Sequence, residues 1–259
     1  MADGTESSDF EGKKIFFLFP TAVMQNSIIV ELVQHEYEVY VANNKDTVRR
    51  VLRNYPGSIV FVDINEKMPE TEWEMWIRAV MKAPDTKTIS IGVITSNGDE
   101  EIKKKYLETI KVTAGYTVLN FDLSKGIKQI ADVLQSINAK GRRKYVRATA
   151  GSDSSATVNV PVDGAFVKGQ VKDISAVGIS FTLEGNPEFP KNTMLKDVQM
   201  VLQMSRLKVE GILYGSRTEG DEKVYVLLFS PQRTDSEVRA KIRKYVQYAL
   251  QLRMDEELR

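Results

Sequence analysis

Asn138-Ala139-Lys140-Gly141-Arg142-Arg143-Lys144-Tyr145-Val146-Arg147 divides this 259-residue sequence between two patterns. Before it, short apolar runs alternate with amphipathic stretches of helical period. After it, short runs of alternating apolar and polar residues follow one another until a single helical pattern closes the sequence. A change of period from mixed 2.0 and 3.6 to nearly pure 2.0 marks a change of fold class. The stretch is also the most basic in the chain's middle, so the fold boundary and a candidate anion-binding segment coincide.

Upstream, Ile15-Phe16-Phe17-Leu18-Phe19 is a continuous apolar run stopped by Pro20. It reads as a strand buried on both faces. A helix over 21–34 follows, with Ile28, Ile29, Leu32 and Val33 on one side. Strands are expected at 37–41, 58–62, about 88–95 and about 115–119. Helices are expected at about 46–54, from a Thr71/Glu74 capping box onward, at about 99–110 and at about 124–139, where Gly141 is expected to cap the end. Five strand–helix repeats imply parallel crossovers and a sheet covered on both faces. They resemble a flavodoxin-like or response-regulator receiver domain of five parallel strands.

Downstream, Thr157–Val162, Ala165–Ile174, Gly178–Leu183, Val198–Met204, Leu207–Tyr214 and Lys223–Phe229 alternate, separated by turns such as Asp163-Gly164 and Glu219-Gly220-Asp221. Six short strands in under a hundred residues predict an antiparallel β-barrel. A Thr234/Glu237 capping box then opens a helix whose stripe, Val238, Ile242, Tyr245, Val246, Ala249 and Leu250, is expected to pack on that barrel. The expected division is a tail over 1–12, an α/β domain over 13–139, a basic linker over 140–147 and a barrel with its helix over 148–259.

Lys and Arg number 36 against 35 Asp and Glu, so any anion site must be local and not a property of the whole surface. Hydrophobic residues make up 42% and charged residues 27%, an ordinary globular mixture. The absence of cysteine excludes disulfides, thiolate zinc sites and cysteine nucleophiles. A single histidine, His35, argues against histidine metal clusters and triads. No apolar run approaches the roughly 18 residues of a membrane span. Residues 1–12 are acidic and small, unlike a signal peptide, and are expected to be disordered. A cytoplasmic, non-enzymatic protein is expected.

Arg143-x-x-x-Arg147, followed twenty-odd residues later by Asp173-x-Ser175-x-x-Gly178, resembles the paired signature of PilZ domains, bacterial receptors for the second messenger cyclic di-GMP. The resemblance spans roughly 140–255, and Val146 prevents Arg142 from heading the same motif. It implies a six-stranded antiparallel barrel with a C-terminal helix, and a ligand held by Arg143 and Arg147 with Asp173, Ser175 and Gly178 shaping a guanine pocket. Arginine's planar fork can donate two bonds to phosphate or to guanine O6 and N7. Asp173 can accept from the guanine N1 and N2 edge, Ser175 can donate or accept, and Gly178 permits a sharp turn and close approach. The resemblance further implies that Arg142 reaches a second molecule of a stacked ligand pair. It points to outputs such as motility, adhesion or exopolysaccharide through an unidentified protein partner, with no cofactor, membrane or specific nucleic acid. A barrel that has lost its ligand and serves as an interaction module is the alternative.

Asp63 ends the third strand, where receivers carry the phosphorylated aspartate, and Thr95 or Ser96 ends the fourth. The rest of that site is missing: Phe19-Pro20 replaces the acidic pair, and Leu119-Asn120 stands where a receiver has lysine. An inactive receiver-like domain is therefore expected, with a phosphorylatable Asp63 as the competing reading. Trp73 and Trp76 read as core, His35 as a surface helix-end residue, Lys103-Lys104-Lys105 as a solvated helix face, and Met200 and Met204 as barrel lining.

Overall fold

The computed structural model describes residues 12–119, 123–150 and 155–259. They form two compact units. One runs to Lys144 and takes in Gln251–Arg259; the other is Tyr145–Leu250. The expected tail and Asn120 fall largely or wholly outside the described residues.

The first unit is built on a parallel sheet of β1 (Ile15–Leu18), β2 (Val39–Ala42), β3 (Ile59–Asp63), β4 (Ser90–Thr95) and β5 (Tyr116–Val118), in the order β2-β1-β3-β4-β5. That is the receiver-like order of doubly wound folds. β1 and β3 are buried at every position, which is why their sequences are unbroken apolar runs. Phe17 of β1 and Phe61 of β3 stack with centroids 5.1 Å apart. The crossovers are α1, α2 (Lys45–Leu52), α3 (Glu70–Lys82) and α4, and α5 (Leu123–Ser136) follows the last strand. α1 runs through Ala22–Met24, a π-helical Gln25–Ile29 and Val30–Gln34, and α4 through Glu100–Lys104 and a π-helical Lys105–Ile110.

Side-chain caps fix several starts. Asn44 accepts from the backbone of Asp46 and Thr47, and Asp99 from that of Glu101 and Ile102. The Thr71/Glu74 capping box does not form: α3 already begins at Glu70, with Pro69 at its N-cap and no side-chain bond there. Nor does Gly141 cap α5. Asn138 takes the left-handed conformation (φ 49°), its N–H donates to Gln135 O, and the Ala139 N–H donates to Leu134 O, a Schellman end. Asparagine tolerates that backbone, so the chain leaves the helix at Asn138, three residues before the glycine.

Trp73 and Trp76 are buried as expected, the Trp73 indole donating to Glu66 O at 2.9 Å. Burying side chains of this size supplies about 1.5–3 kcal/mol each. His35 is exposed at the end of α1 against Glu31. Lys103 and Lys104 are solvated, but Lys105 is not: it bridges Glu70 and Glu74 of α3 at 2.7 and 3.0 Å. The free edge of β2 is covered by Gln251, whose amide accepts from Val41 N and donates to Val41 O.

The second unit contains β6 (Arg147–Thr149), β7 (Thr157–Val162), β8 (Ala165–Ser175), β9 (Gly178–Leu183), β10 (Met194–Leu202), β11 (Ser205–Glu219) and β12 (Glu222–Phe229), then α6, of which Ser236 to Leu250 belong here and whose full span is Ser236–Glu257. All neighbouring pairs are antiparallel. The order β8-β7-β10-β11-β12-β9 closes through a further β8–β9 pairing into the six-stranded barrel that was expected. β6 is an additional strand on β8 that alternation did not disclose, because three residues are too few to show a period. The long β8 makes closure possible: Ala165–Gln170 pairs with β7 and Gly169–Ser175 with β9.

The barrel interior is filled by Val158, Val160, Val171, Ile174, Ile179, Phe181, Tyr225, Leu227 and their neighbours. Ile242, Tyr245 and Val246 of α6 join the same core, with Val238, Ala249 and Leu250 at its margin. The expected stripe is thus the packed one. Its cap is Asp235, not Thr234: Asp235 Oδ1 accepts from Val238 N at 2.7 Å, while the Thr234 hydroxyl turns back to Ser230 O. Met200 is core, whereas Met204 stands at the β10–β11 turn and is 99% exposed, because Gln203 at φ 53° reverses the chain there.

Candidate functional site

Arg147 of the first signature and the residues of the second meet on the outer wall of the barrel through register. β6 pairs with β8 so that Arg147 faces Ser175 and Thr149 faces Asp173. β8 pairs with β9 so that Ser175 faces Gly178 and Asp173 faces Ser180. β12 continues both rows with Leu228 beside Gly178 and Val226 beside Ser180. Two rows therefore lie side by side, Arg147–Ser175–Gly178–Leu228 and Thr149–Asp173–Ser180–Val226. From strand spacing and rise, the patch from β6 to β9 measures about 10 by 7 Å, the footprint of one purine.

A β-bulge puts these side chains outside. Val171 pairs with Phe181, yet Asp173 pairs with Ser180, so β8 spends one residue more than β9 at Lys172. Val171 points into the core. Without the bulge Asp173 would follow it inward, since side chains two apart share a face. With it, Ile174 takes the interior and Asp173 and Ser175 face out.

Asp173 is half-buried and held from both sides. The Ser180 hydroxyl donates to Asp173 Oδ2 at 2.9 Å, and Ser180 Oγ accepts from the Asp173 N–H at 3.1 Å. The Thr149 hydroxyl donates to Asp173 Oδ1 at 3.1 Å. Thr149 and Ser180 lie outside both motifs; each stands opposite Asp173 in register, and only strand pairing reveals that. Ser175 is buried, its hydroxyl donating to Gly178 O at 3.3 Å. Arg147 is exposed at the start of β6, anchored by its strand. Arg142 and Arg143 are exposed in the stretch that ends the first unit.

Gly178 has a different reason from the sharp turn expected of it. Its φ is not left-handed; it opens β9, and a Cβ there would lie 2.5 Å from Leu227 O on β12. The glycine lets two backbones close the barrel directly beneath the patch. An acid with oriented oxygens, a small hydroxyl, a side-chain-free floor and a flanking guanidinium can together hold a flat, hydrogen-bonding anion.

In the first unit, Asp63 is 6% exposed at the end of β3, and loss of solvation raises its carboxyl to about 6. Its neighbourhood is already satisfied. Asp63 Oδ1 accepts from Asn65 N, while Asn65 Oδ1 accepts from the Thr95 hydroxyl and Ser96 N, both at 2.7 Å. Beyond β1, where an acidic pair would stand, Phe19 packs on Trp73 at 5.9 Å with the Lys67 ammonium over its ring. Among the described residues no group of three acidic, histidine or cysteine side chains is placed to hold a metal.

Asp63 makes a pH-dependent prediction. A carboxyl raised from the usual 3.8 to about 6 binds its proton more tightly in the folded state. Its favourable contribution is complete below pH 3.8 and is lost as pH rises through 6. The full change is roughly 3 kcal/mol. Asp63→Asn is expected to raise the urea midpoint at pH 7.5 and to flatten the stability slope between pH 4 and 6; an unchanged slope would show that Asp63 is not the group responsible.

A sequence-family model, the PilZ domain, matches residues 141–248. No curated protein matches the sequence. Similar solved structures include the PilZ domain with c-di-GMP of YcgR from Escherichia coli, at 16% identity over 45% of this chain and 96% of that one, TM-score 0.37. The K. pneumonia MrkH–c-di-GMP complex shares 12% identity over 46% of this chain and 57% of that one, TM-score 0.39. Chemotaxis response regulator CheY4 of Vibrio cholerae shares 17% identity over 49% of this chain and 98% of its own, TM-score 0.39. The chain thus spans little more than half of MrkH. No helix among the described residues is long and apolar enough to cross a membrane. The family match begins at the basic stretch and runs through the closed barrel into its terminal helix, so residues 141–248 are a PilZ domain, following a receiver-like α/β domain.

Proposed function

We propose that this protein is a cyclic di-GMP receptor, with Arg143 and Arg147 gripping phosphate and guanine, and Asp173, Ser175 and Gly178 forming the base pocket. The observation that carries this reading is the register that sets Arg147 opposite Ser175, one row from Asp173. Arg142 would contact a second, stacked ligand molecule. The protein acts by binding and not by catalysis, in the cytoplasm, passing the signal to a protein partner that governs motility, adhesion or exopolysaccharide. Isothermal titration with cyclic di-GMP tests the reading: a saturable heat with low-micromolar or tighter Kd supports it. No heat at 100 μM ligand would leave the barrel as an unliganded interaction module.

The arginine pair brackets the residue at which the first unit ends and the second begins. Closing both guanidinium groups on one ligand would therefore reorient the two units. Small-angle X-ray scattering is expected to show a ligand-dependent change in the radius of gyration. Superimposable profiles at saturation would remove the coupling while leaving the binding site intact. Phosphoryl transfer to Asp63 is not part of this function, since charge on the transferred oxygens needs metal and lysine to offset it. Incubation with acetyl phosphate and magnesium is expected to leave the intact mass unchanged.

A further inference from the structure

The carboxylate of Asp173 offers two oxygens with about four acceptor positions. One position on each is already occupied: Oδ2 takes the Ser180 hydroxyl at 2.9 Å and Oδ1 takes the Thr149 hydroxyl at 3.1 Å. One position per oxygen remains, matching the two parallel donors, N1–H and N2–H, on the edge of guanine. A carboxylate on a free torsion could swing its oxygens away from any base. Here the two hydroxyls, approaching from the strands on either side, fix the plane of the group. Ser180 also accepts the Asp173 N–H, so one side chain holds both the backbone and the carboxylate of the acid at the bulge.

We infer that Ser180 is a positioning residue that, with Thr149, aims the Asp173 carboxylate at the guanine edge and so sets base selectivity at this site. The inference rests on the receptor reading above and goes beyond it in assigning discrimination to two residues outside both signatures. Adenine turns an acceptor, N1, toward the same carboxylate and is repelled. Hypoxanthine keeps N1–H and lacks the N2 amine, so it measures one of the two bonds alone.

The test compares cyclic di-GMP with cyclic di-IMP by isothermal titration on the full chain. A site built to accept a donor loses affinity when that donor is missing. The parent is expected to prefer cyclic di-GMP by at least about 10-fold, one hydrogen bond's worth. Ser180→Ala is expected to weaken cyclic di-GMP about 10-fold and cyclic di-IMP far less, so that the ratio collapses toward one. Ser180→Thr, which keeps the hydroxyl, is expected to retain the parent ratio. Thr149→Val, at an exposed position, gives an independent reading should Ser180→Ala fold poorly; it too is expected to lower the ratio. Equal weakening of both ligands in Ser180→Ala and Thr149→Val, or a parent that does not discriminate, overturns the inference while leaving the receptor reading standing. A parent that binds neither dinucleotide overturns the receptor reading and this inference with it.

Discussion

Arg143→Ala combined with Arg147→Ala will raise the Kd for cyclic di-GMP at least about 100-fold, with the melting temperature of the ligand-free protein unchanged. Each guanidinium is expected to contribute hydrogen bonds to a charged partner, worth about 1.5–3 kcal/mol apiece, and the two together account for two to four orders of magnitude. Both side chains are exposed, so truncation leaves no cavity. This separates the pair from a merely solvated basic linker, for which truncation would change nothing. Arg147→Lys is the sharper control. It keeps the charge and loses the planar fork, and is expected to recover only a small part of the affinity. Parent-like binding by the double variant would place the ligand elsewhere.

Gly178→Ala will cost the barrel its stability before it costs it a ligand. The added Cβ would sit 2.5 Å from Leu227 O, and the obstacle is backbone, which cannot rotate aside. Relief requires β9 and β12 to separate where Gly178 pairs with Leu228, beside the closing β8–β9 ladder. Overpacking of this kind costs about 1–3 kcal/mol or more. For a unit of this size that is a fall of roughly 5–20 °C in melting temperature. Differential scanning calorimetry without ligand reads it directly. A variant that melts like the parent but no longer binds cyclic di-GMP would restore the view that Gly178 serves the ligand alone. The prediction has a practical edge: loss of binding in a Gly178 variant is not by itself evidence of a ligand contact.

The two motifs were legible because their meaning is chemical. Arginines four apart and an acid, a hydroxyl and a glycine at fixed offsets carry their donors and acceptors whatever the surrounding fold. The α/β half was legible because its strands are short apolar runs and its helices show a stripe, and both are properties of neighbouring residues. Helix ends were less so. Asn138 in place of Gly141 and Asp235 in place of Thr234 each depended on which of two competent residues the chain's path selected.

What the sequence by itself determined, then, is local: an alternating α/β half, a β half, a basic seam between them, and the kinds of groups available to hold an anion. Tertiary structure alone decided which face those groups occupy and who stands beside them. Val171 and Ile174 are both core residues three apart in a strand, and only an extra residue at Lys172 reconciles them; that bulge carries Asp173 and Ser175 outward. The pairing of β6 with β8 then brings Thr149 and Arg147 to them across twenty-odd residues of sequence. Likewise Asp63 reads as an ordinary strand-end acid until burial raises its proton affinity. The physical reason is the same in each case: cross-strand register and solvent exclusion are set by residues distant in the chain, and no window of neighbouring sequence contains them.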